Sequence, residues 1–365
     1  MDKIPLSKPD ITDLEIKAVI DVLKSPCLSL GPKVEEFEKL MADYIGRKYA
    51  IAVNSGTSAL HLIIRALGIK ENHEVITSPF SFISSSNCIL YEKAKPVFVD
   101  IDAKSLNIDP LKIEEKITEK TKAILAVDVF GVSADWNKLE QIAEKHNLLL
   151  IEDSAEALGS EYNGKKCGSF GKASIFSFYP NKQITTAGEG GIILTDDEET
   201  ADLCYSMRNQ GRKQENNKWL EHVCLGYNYR MPEVCAAMGI VQLKRIDKIL
   251  EKRNKVAFLY NEKLKHIKGI QVPDNSGTWF VYVIKIDKRY ERDKIIKQMA
   301  EKGIQCSNYF YPIHLQPFYK QLFNYKQGDF QISEDVSQRT IALPFYNDLS
   351  EKEIEFIVET LSGLL

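Results

Sequence analysis

The chain has 365 residues, with 48 Lys and Arg against 51 Asp and Glu and a formal net charge of −3, so it lacks the basic footprint of a nucleic-acid binder. Its length suits about two domains at roughly 150 residues each, its start MDKIPLSKPD carries no secretory h-region, and no apolar run approaches the ~18 residues of a membrane span. The cysteines (Cys27, Cys88, Cys167, Cys204, Cys224, Cys235, Cys306) are odd in number and include no CxxC pair, which argues for reduced thiols in a cytoplasmic enzyme and against a disulfide or zinc framework.

Residues 1–32 read as an arm, with a helix over 13–23 started by Thr12 or Asp10. Ser29-Leu30-Gly31-Pro32 makes a turn before a second helix over 34–44; read alone, this loop serves equally as a connector. A short apolar strand over 50–53 runs into Asn54-Ser55-Gly56-Thr57-Ser58 and a helix over 59–67. Strand, glycine turn and helix present free amides to an anion, although an N-cap by Ser55 or Thr57 explains the same residues and no GxxxxGK[ST] is present. The next strand, 74–77, leads to Ser78-Pro79-Phe80-Ser81-Phe82, where Phe82 serves as core or as a ring-stacking surface. After a strand over 96–99, Asp100-Ile101-Asp102 reads as a turn or helix cap, and no metal site is expected.

A strand over 123–127 and a helix over 139–146 precede Leu148-Leu149-Leu150-Ile151, a buried parallel strand. Glu152-Asp153 stand at its carboxyl end, where ligands of open α/β sheets collect. This regular alternation predicts an α/β fold with a mostly parallel sheet covered on both faces. The stretch ASIFSFYPNKQITTAGEGG over 173–191 then places Lys182 in a polar turn between two apolar strands. Pro180 ends the first strand, and Gly188, Gly190 and Gly191 let the backbone pass close to something bulky. A turn lysine with the Ser177 hydroxyl nearby suits Schiff-base chemistry on a phosphorylated cofactor.

Further on, Asp196-Asp197-Glu198-Glu199 is an acidic helix start that suits the macrodipole. Gln214 to Lys218 is polar and reads as a mobile loop. Gly226-Tyr227-Asn228-Tyr229-Arg230-Met231-Pro232 opens one long helix over 233–264; by themselves, Asn228 and Arg230 read as capping and solvation. A strand over 279–286 and an amphipathic helix over 292–302 follow. In the loop over 309–319, His314 is a lone histidine among aromatics, a pattern that is more often structural.

In order, IPLSKPDIT, LSLGPKVEEFE, NSGTSALHL, EDSAEALGS, SFYPNKQITT with GEGG, GYNYRMPEVCAA and YPIHLQP resemble the DegT/StrS-type nucleotide-sugar aminotransferases of the fold type I superfamily. The resemblance implies an N-terminal arm and large cofactor-binding domain over 1–250 and a small C-terminal α+β domain over 251–365. It implies pyridoxal 5'-phosphate as cofactor, with Lys182 as the Schiff-base lysine and proton shuttle and Asp153 paired with the ring nitrogen. By the same resemblance, Gly56, Thr57 and Ser177 hold the phosphate, Phe82 stacks on the ring, and Glu156 lies beside the phenolic oxygen. Asn228 reaches the cofactor phosphate of a second subunit in a homodimer, while Ser29, Tyr179, Arg230 and His314 face the substrate. Glutamate is the implied donor and a nucleotide-linked 4-keto-6-deoxy sugar the acceptor, giving a 4-amino-4,6-dideoxy sugar, since GEGG with Asn181 is more similar to 4-aminotransferases. The alternatives are a 3-amino sugar or cyclitol aminotransferase, or a non-catalytic regulatory member. Lys182 argues against the branch that dehydrates sugars at C3 with a histidine there. Ala187 lengthens the turn by one residue beyond the lysine, so its path is expected to change and its chemistry to survive.

Overall fold

The structure, a computed structural model, describes residues 3–213, 221–274 and 277–365; Gln214 to Lys218, expected to be mobile, lie outside the described residues. The chain opens with helices α1 (Asp13–Leu23) and α2 (Pro32–Ile45) before β1 (Tyr49–Val53) and α3 (Gly56–Ala66). Then come β2 (Glu74–Thr77), α4 (Ser84–Tyr91), β3 (Lys95–Phe98), β4 (Thr121–Val127), α5 (Trp136–His146) and β5 (Leu149–Asp153). A small hairpin, β6 (Glu161–Tyr162) and β7 (Lys165–Lys166), leads to β8 (Ala173–Ser177), β9 (Gly191–Thr195) and α6 (Glu198–Arg208). The remainder is α7 (Glu233–Lys244), α8 (Ile246–Leu264), β10 (Ile270–Gln271), β11 (Tyr282–Ile286), α9 (Arg292–Glu301), α10 (Pro317–Phe323), α11 (Gln331–Arg339), β12 (Thr340–Leu343) and α12 (Glu351–Ser362).

Among the described residues, the main sheet has the order β1-β9-β8-β5-β4-β2-β3. Its neighbours pair in parallel except around β9, which is antiparallel to both β1 and β8. The expected α/β fold with a mostly parallel sheet is what forms. The strands β2, β8 and β9 are buried over nearly their whole length, as apolar runs covered on both faces must be. A second, antiparallel sheet, β10-β11-β12, packs its own apolar cluster around Tyr260, Tyr282, Ile284, Met299 and Ile357.

Local sequence explains the arm. Thr12 caps α1 in a reciprocal capping box with Glu15. The turn before α2 puts Pro32 at the first helical position, where its missing N–H costs nothing. The cap of α2 comes from a distant helix: Glu233, 1 % exposed, accepts from Gly31 N at 2.9 Å, Lys33 N at 2.8 Å and Val34 N at 3.0 Å. A side chain at Gly31 would stand 2.3 Å from Cys27 Sγ, so the turn closes only on glycine.

Two expectations need correction. The single helix expected over 233–264 is two, α7 and α8, divided at Arg245 (φ −105°, ψ 5°). The guanidinium of Arg245 is drawn to Asp10 at 2.8 Å and Glu15 at 2.5 Å, a tertiary pull that helical periodicity does not carry. The strand expected from 279 begins at Tyr282. Among the described residues no helix is long and apolar enough to cross a membrane.

The shared cap gives a stability prediction. Glu233→Ala strands the amides of Gly31, Lys33 and Val34 at the start of α2 and should cost roughly 2–3 kcal/mol in denaturant unfolding; a change inside experimental error would show that the cap does not hold α2.

Candidate active site

Strand ends converge at one edge of the main sheet. β1 and β8 run the same way with β9 between them, so that Val53, Gly191 and Ser177 lie abreast. A Cβ on Gly191 would stand 2.5 Å from the Ser55 carbonyl, and one on Gly56 would stand 2.9 Å from the Ser177 Cβ. Only glycine at both positions lets these backbones meet. Helix α3 begins in this gap. Ser55 Oγ accepts from Ser58 N at 3.1 Å, while the amides of Gly56 and Thr57, which have no acceptor inside a helix, remain to receive an anion. Gly56, Thr57 and Ser177 line a cavity of about 580 Å³ together with Phe82, Asp153, Glu156, Tyr179 and Lys182, within the range of small-molecule sites.

The floor of this cavity is charged and dry. Asp153, at the end of β5, is 3 % exposed; Ser85 Oγ donates to its Oδ2 at 2.8 Å and Ala155 N to its Oδ1 at 3.1 Å. Burial pushes its carboxyl above the usual range, opposed by those hydrogen bonds and by the Lys182 charge. Glu156 accepts from Phe130 N at 2.8 Å through Oε2, and its Oε1 stands 3.6 Å from Lys182 Nζ. Burial raises this carboxyl too, against the Lys182 charge. Lys182 is affected in the opposite sense: burial lowers its amine, while Glu156 and then Asp153 hold it up. Its Nζ also lies 3.9 Å from the centre of the Phe280 ring.

The turn that carries the lysine is tied at both ends. Lys182 N donates to Tyr179 O at 2.8 Å and Phe178 N to Gly190 O at 2.9 Å. Ala187 takes a left-handed φ of +66° on the exposed side, and Thr186 Oγ1 closes over it onto Glu189 O at 2.9 Å.

The opposite wall was not legible in the sequence. Phe280, Asn308, Tyr309 and Phe310 from the C-terminal part line it. Phe310 stacks on Phe130 at 5.3 Å between ring centres, and Phe130 itself has a left-handed φ of +57°, a conformation that aims its amide at Glu156. Ser84 and Ser85 were also missed: Ser84 Oγ meets Thr57 Oγ1 at 2.8 Å, and Ser85 reaches Asp153 from 68 residues away. A serine run after a strand carries no signal of either contact.

Four expected site residues lie outside this lining. Ser29 is exposed and bridges to Pro232. Arg230 bridges to Val53 and donates to Asn209 Oδ1 at 2.9 Å. Asn228 is exposed on the same loop, which Tyr229 O ties to Asn54 N at 2.9 Å, next to the start of α3. His314 requires a correction: it is wholly buried, its Nε2 meets Glu334 at 3.0 Å, and Phe330 packs against its ring. It props an aromatic cluster rather than facing the cavity.

The donor set fits pyridoxal phosphate. A helix N-terminus with Ser177 beside it suits the phosphate, a buried carboxylate suits a protonated ring nitrogen, and a half-buried amine suits the carbonyl carbon. Phe82, 62 % exposed on the cavity wall, offers the flat apolar face that a heteroaromatic ring would cover.

Comparison with known proteins agrees. The model of the DegT/DnrJ/EryC1/StrS aminotransferase family matches residues 9–362. The chain is similar to GDP-perosamine synthase of Escherichia coli O157:H7, 37 % identical with 99 % of this chain and 98 % of that protein covered. Among solved structures it is similar to Helicobacter pylori PseC, an aminotransferase involved in the biosynthesis of pseudoaminic acid, with TM-score 0.95, 32 % identity and 100 % and 99 % coverage. It is also similar to Spr1654 of Streptococcus pneumoniae in its PLP form, with TM-score 0.93, 30 % identity and 99 % and 98 % coverage.

The electrostatics of the floor yield a signed prediction. Glu156→Gln removes a charge that raises the Lys182 amine while burial still lowers it, so the amine should become neutral at lower pH. The rate at which apoprotein captures pyridoxal phosphate, followed by absorbance, should therefore begin its rise at lower pH than in the wild type. A rise that stays in place or moves to higher pH would show that Glu156 does not act on the lysine.

Proposed function

Since this chain belongs to the DegT/DnrJ/EryC1/StrS aminotransferase family and is a pyridoxal phosphate-dependent sugar aminotransferase, we propose that it moves the amino group of glutamate onto a nucleotide-linked 4-keto-6-deoxy sugar, giving a 4-amino-4,6-dideoxy sugar nucleotide. The observation that carries this reading is the buried trio at the cavity floor, Lys182 with Glu156 at 3.6 Å and Asp153 behind it. Asn181 and the GEGG turn support amination at C4, and a relative named GDP-perosamine synthase supports a nucleotide-linked acceptor. Seven free cysteines suit the reducing cytoplasm in which we place the reaction.

When bound, the cofactor supplies an electron sink that makes the substrate carbon acidic. The residues do the rest. Gly56 and Thr57 amides and the Ser177 hydroxyl would hold the phosphate; Asp153, anchored by Ser85, would keep the ring nitrogen protonated; Phe82 would cover the ring face. Lys182 would hold the cofactor, and its amine would serve as the proton-moving base and acid. Its burial lowers the amine below the usual lysine range, and Glu156 limits how far it falls. Tyr179, 50 % exposed on the cavity wall, meets the substrate.

The test is turnover of purified protein with glutamate and a set of keto acceptors, read as 2-oxoglutarate and followed by NMR of the product. The reading requires 2-oxoglutarate with a 4-keto-6-deoxy nucleotide sugar and nitrogen at C4. Nitrogen at C3 overturns the position, turnover only with a cyclitol ketone overturns the substrate class, and no turnover with any acceptor supports a regulatory member.

The proposal extends to assembly: two copies pair, and each cavity is completed by Asn228 of the neighbour. The supporting observation is that Asn228 is exposed on a loop tied to Asn54, next to the start of α3, yet lies outside the cavity lining of its own chain, and this loop and the turn before α2 also expose Leu28, Leu30, Val223 and Leu225 at 40–67 %. Two-fold symmetry would give two equivalent shared sites. Mixing a cofactor-deficient Asn228 variant with Lys182→Ala should restore activity on subunit exchange, because one site of each mixed dimer then carries neither defect. Proven exchange without recovery would assign Asn228 to the cavity of its own Lys182.

A further inference from the structure

Behind Asp153, on the other face of β5, lies a buried chain of side chains that the cavity does not use. Asp128, Glu152 and Ser154 are all fully buried. Ser154 Oγ lies 2.6 Å from Asp128 Oδ2 and 2.7 Å from Glu152 Oε1. A hydroxyl has one proton, so it can donate to one carboxyl and must accept from the other. The remaining oxygens are taken. Asp128 Oδ1 accepts from Ala134 N at 2.8 Å and Trp136 Nε1 at 3.2 Å. Glu152 accepts from Gly168 N at 2.5 Å on Oε1 and from Phe170 N at 2.7 Å on Oε2. Among the described residues, Asp128 Oδ2 is the carboxyl oxygen of the pair that receives no N–H.

We propose that one proton resides on Asp128 Oδ2 and sets a directed hydrogen-bond chain, Asp128 to Ser154 to Glu152, that fixes the direction of Asp153. The chain clamps both residues flanking Asp153 on one face of the strand, and alternation then sends Asp153 to the other, toward the cavity. The backbone closes the clamp: Asp128 N donates to Asp153 O at 3.0 Å and Ser154 N to Ile175 O at 3.1 Å. Asp128, Ser154 and Glu152 are thus positioning residues.

The surroundings agree with a neutralised pair. Burial raises both carboxyls, and two like charges this close in a dry interior do not both ionise; an N–H on each Glu152 oxygen leaves Asp128 as the place for the shared proton. From the loop after β7 the Cys167 thiol lies within 4.8 Å of both carboxyls, and burial pushes it up, so it stays a neutral thiol. α5 presents the uncharged Trp136 indole. Arg47 grips the outer side of the same loop, donating to Gly168 O at 3.3 Å, Phe170 O at 2.5 Å and Gly171 O at 3.0 Å, and pairs with Asp196 at 2.8 Å. Lys166 turns away to Tyr44 O at 3.0 Å. A metal ion is a poor occupant, because the carboxyl oxygens already serve these protein donors.

A carboxyl that keeps its proton when folded and sheds it on unfolding makes the fold weaker as pH rises; an amide in its place carries no such cost. The test is denaturant unfolding of the full-length protein from about pH 5 to pH 8, with Asp128→Asn, Asp128→Ala and Glu152→Gln. The amide of Asp128→Asn donates to Ser154 as the proposed proton does. Relative to this variant, the wild-type unfolding constant should therefore climb by about tenfold per pH unit until the shared proton is lost. Asp128→Ala should be less stable at every pH. So should Glu152→Gln, whose NH₂ would face Gly168 N or Phe170 N. Parallel pH dependence of wild type and Asp128→Asn overturns the proposal, as does tolerance of Glu152→Gln with loss in Asp128→Asn, or failure of Asp128→Asn to fold. Infrared spectra at neutral pH give a second reading: the protonated-carboxyl stretch should weaken in Asp128→Asn, and unchanged intensity would overturn the shared proton. Neither measurement reads activity, so both stand apart from the proposed reaction.

Discussion

An amine and two carboxyls share a cavity floor where little of any of them is exposed, and the rest of the molecule is arranged around making that tolerable. A lone buried charge is expensive, and a buried pair is stable only when its remaining lone pairs and protons find partners. Here each carboxyl has fixed donors: Ser85 Oγ and Ala155 N on Asp153, Phe130 N on Glu156. The amine has Glu156 on one side and the Phe280 ring on the other. Burial therefore drives the lysine and the carboxyls toward their neutral forms while their mutual attraction holds them back. A lysine whose amine is drawn down from its usual range in this way gives up its proton more readily, which is the property a transaminase lysine needs.

The second constraint is closeness of backbone. Gly191 and Gly56 allow β1, β9 and the Ser177 end of β8 to meet without side chains between them, and the start of α3 opens into the gap that results. The start of α3 and the Lys182 floor thus border one cavity. The aromatic wall from Phe280, Tyr309 and Phe310 lines the same cavity, so residues far along the chain shape the space around those placed for the chemistry.

How much of this could be read beforehand depended on how local the cause was. Lys182 was legible because a proline, an asparagine and three glycines bracket it, and Asp153 because it ends an apolar strand. Gly56 stood out as a glycine between strand and helix. The contacts made across the fold were silent: Ser85 is 68 residues from the aspartate it holds, and nothing around Phe280 or Tyr309 marks a cavity wall. The division of α7 from α8 escaped notice for the same reason, since Arg245 answers to Asp10 and Glu15 rather than to its neighbours. His314 was misplaced because motif resemblance carries no burial, and the structure gives it Glu334 as a partner in a closed aromatic cluster. Asn228, Arg230 and Ser29 were named from motif resemblance, and the chain holds them outside the cavity lining.

The account rests most heavily on Lys182 as the residue that carries the cofactor. Borohydride reduction of the purified, cofactor-loaded protein, followed by peptide mapping, tests it directly. The account predicts one pyridoxyl label per chain, on Lys182, and none in Lys182→Ala. A label on another lysine, or no label in a protein that retains the cofactor, would contradict it.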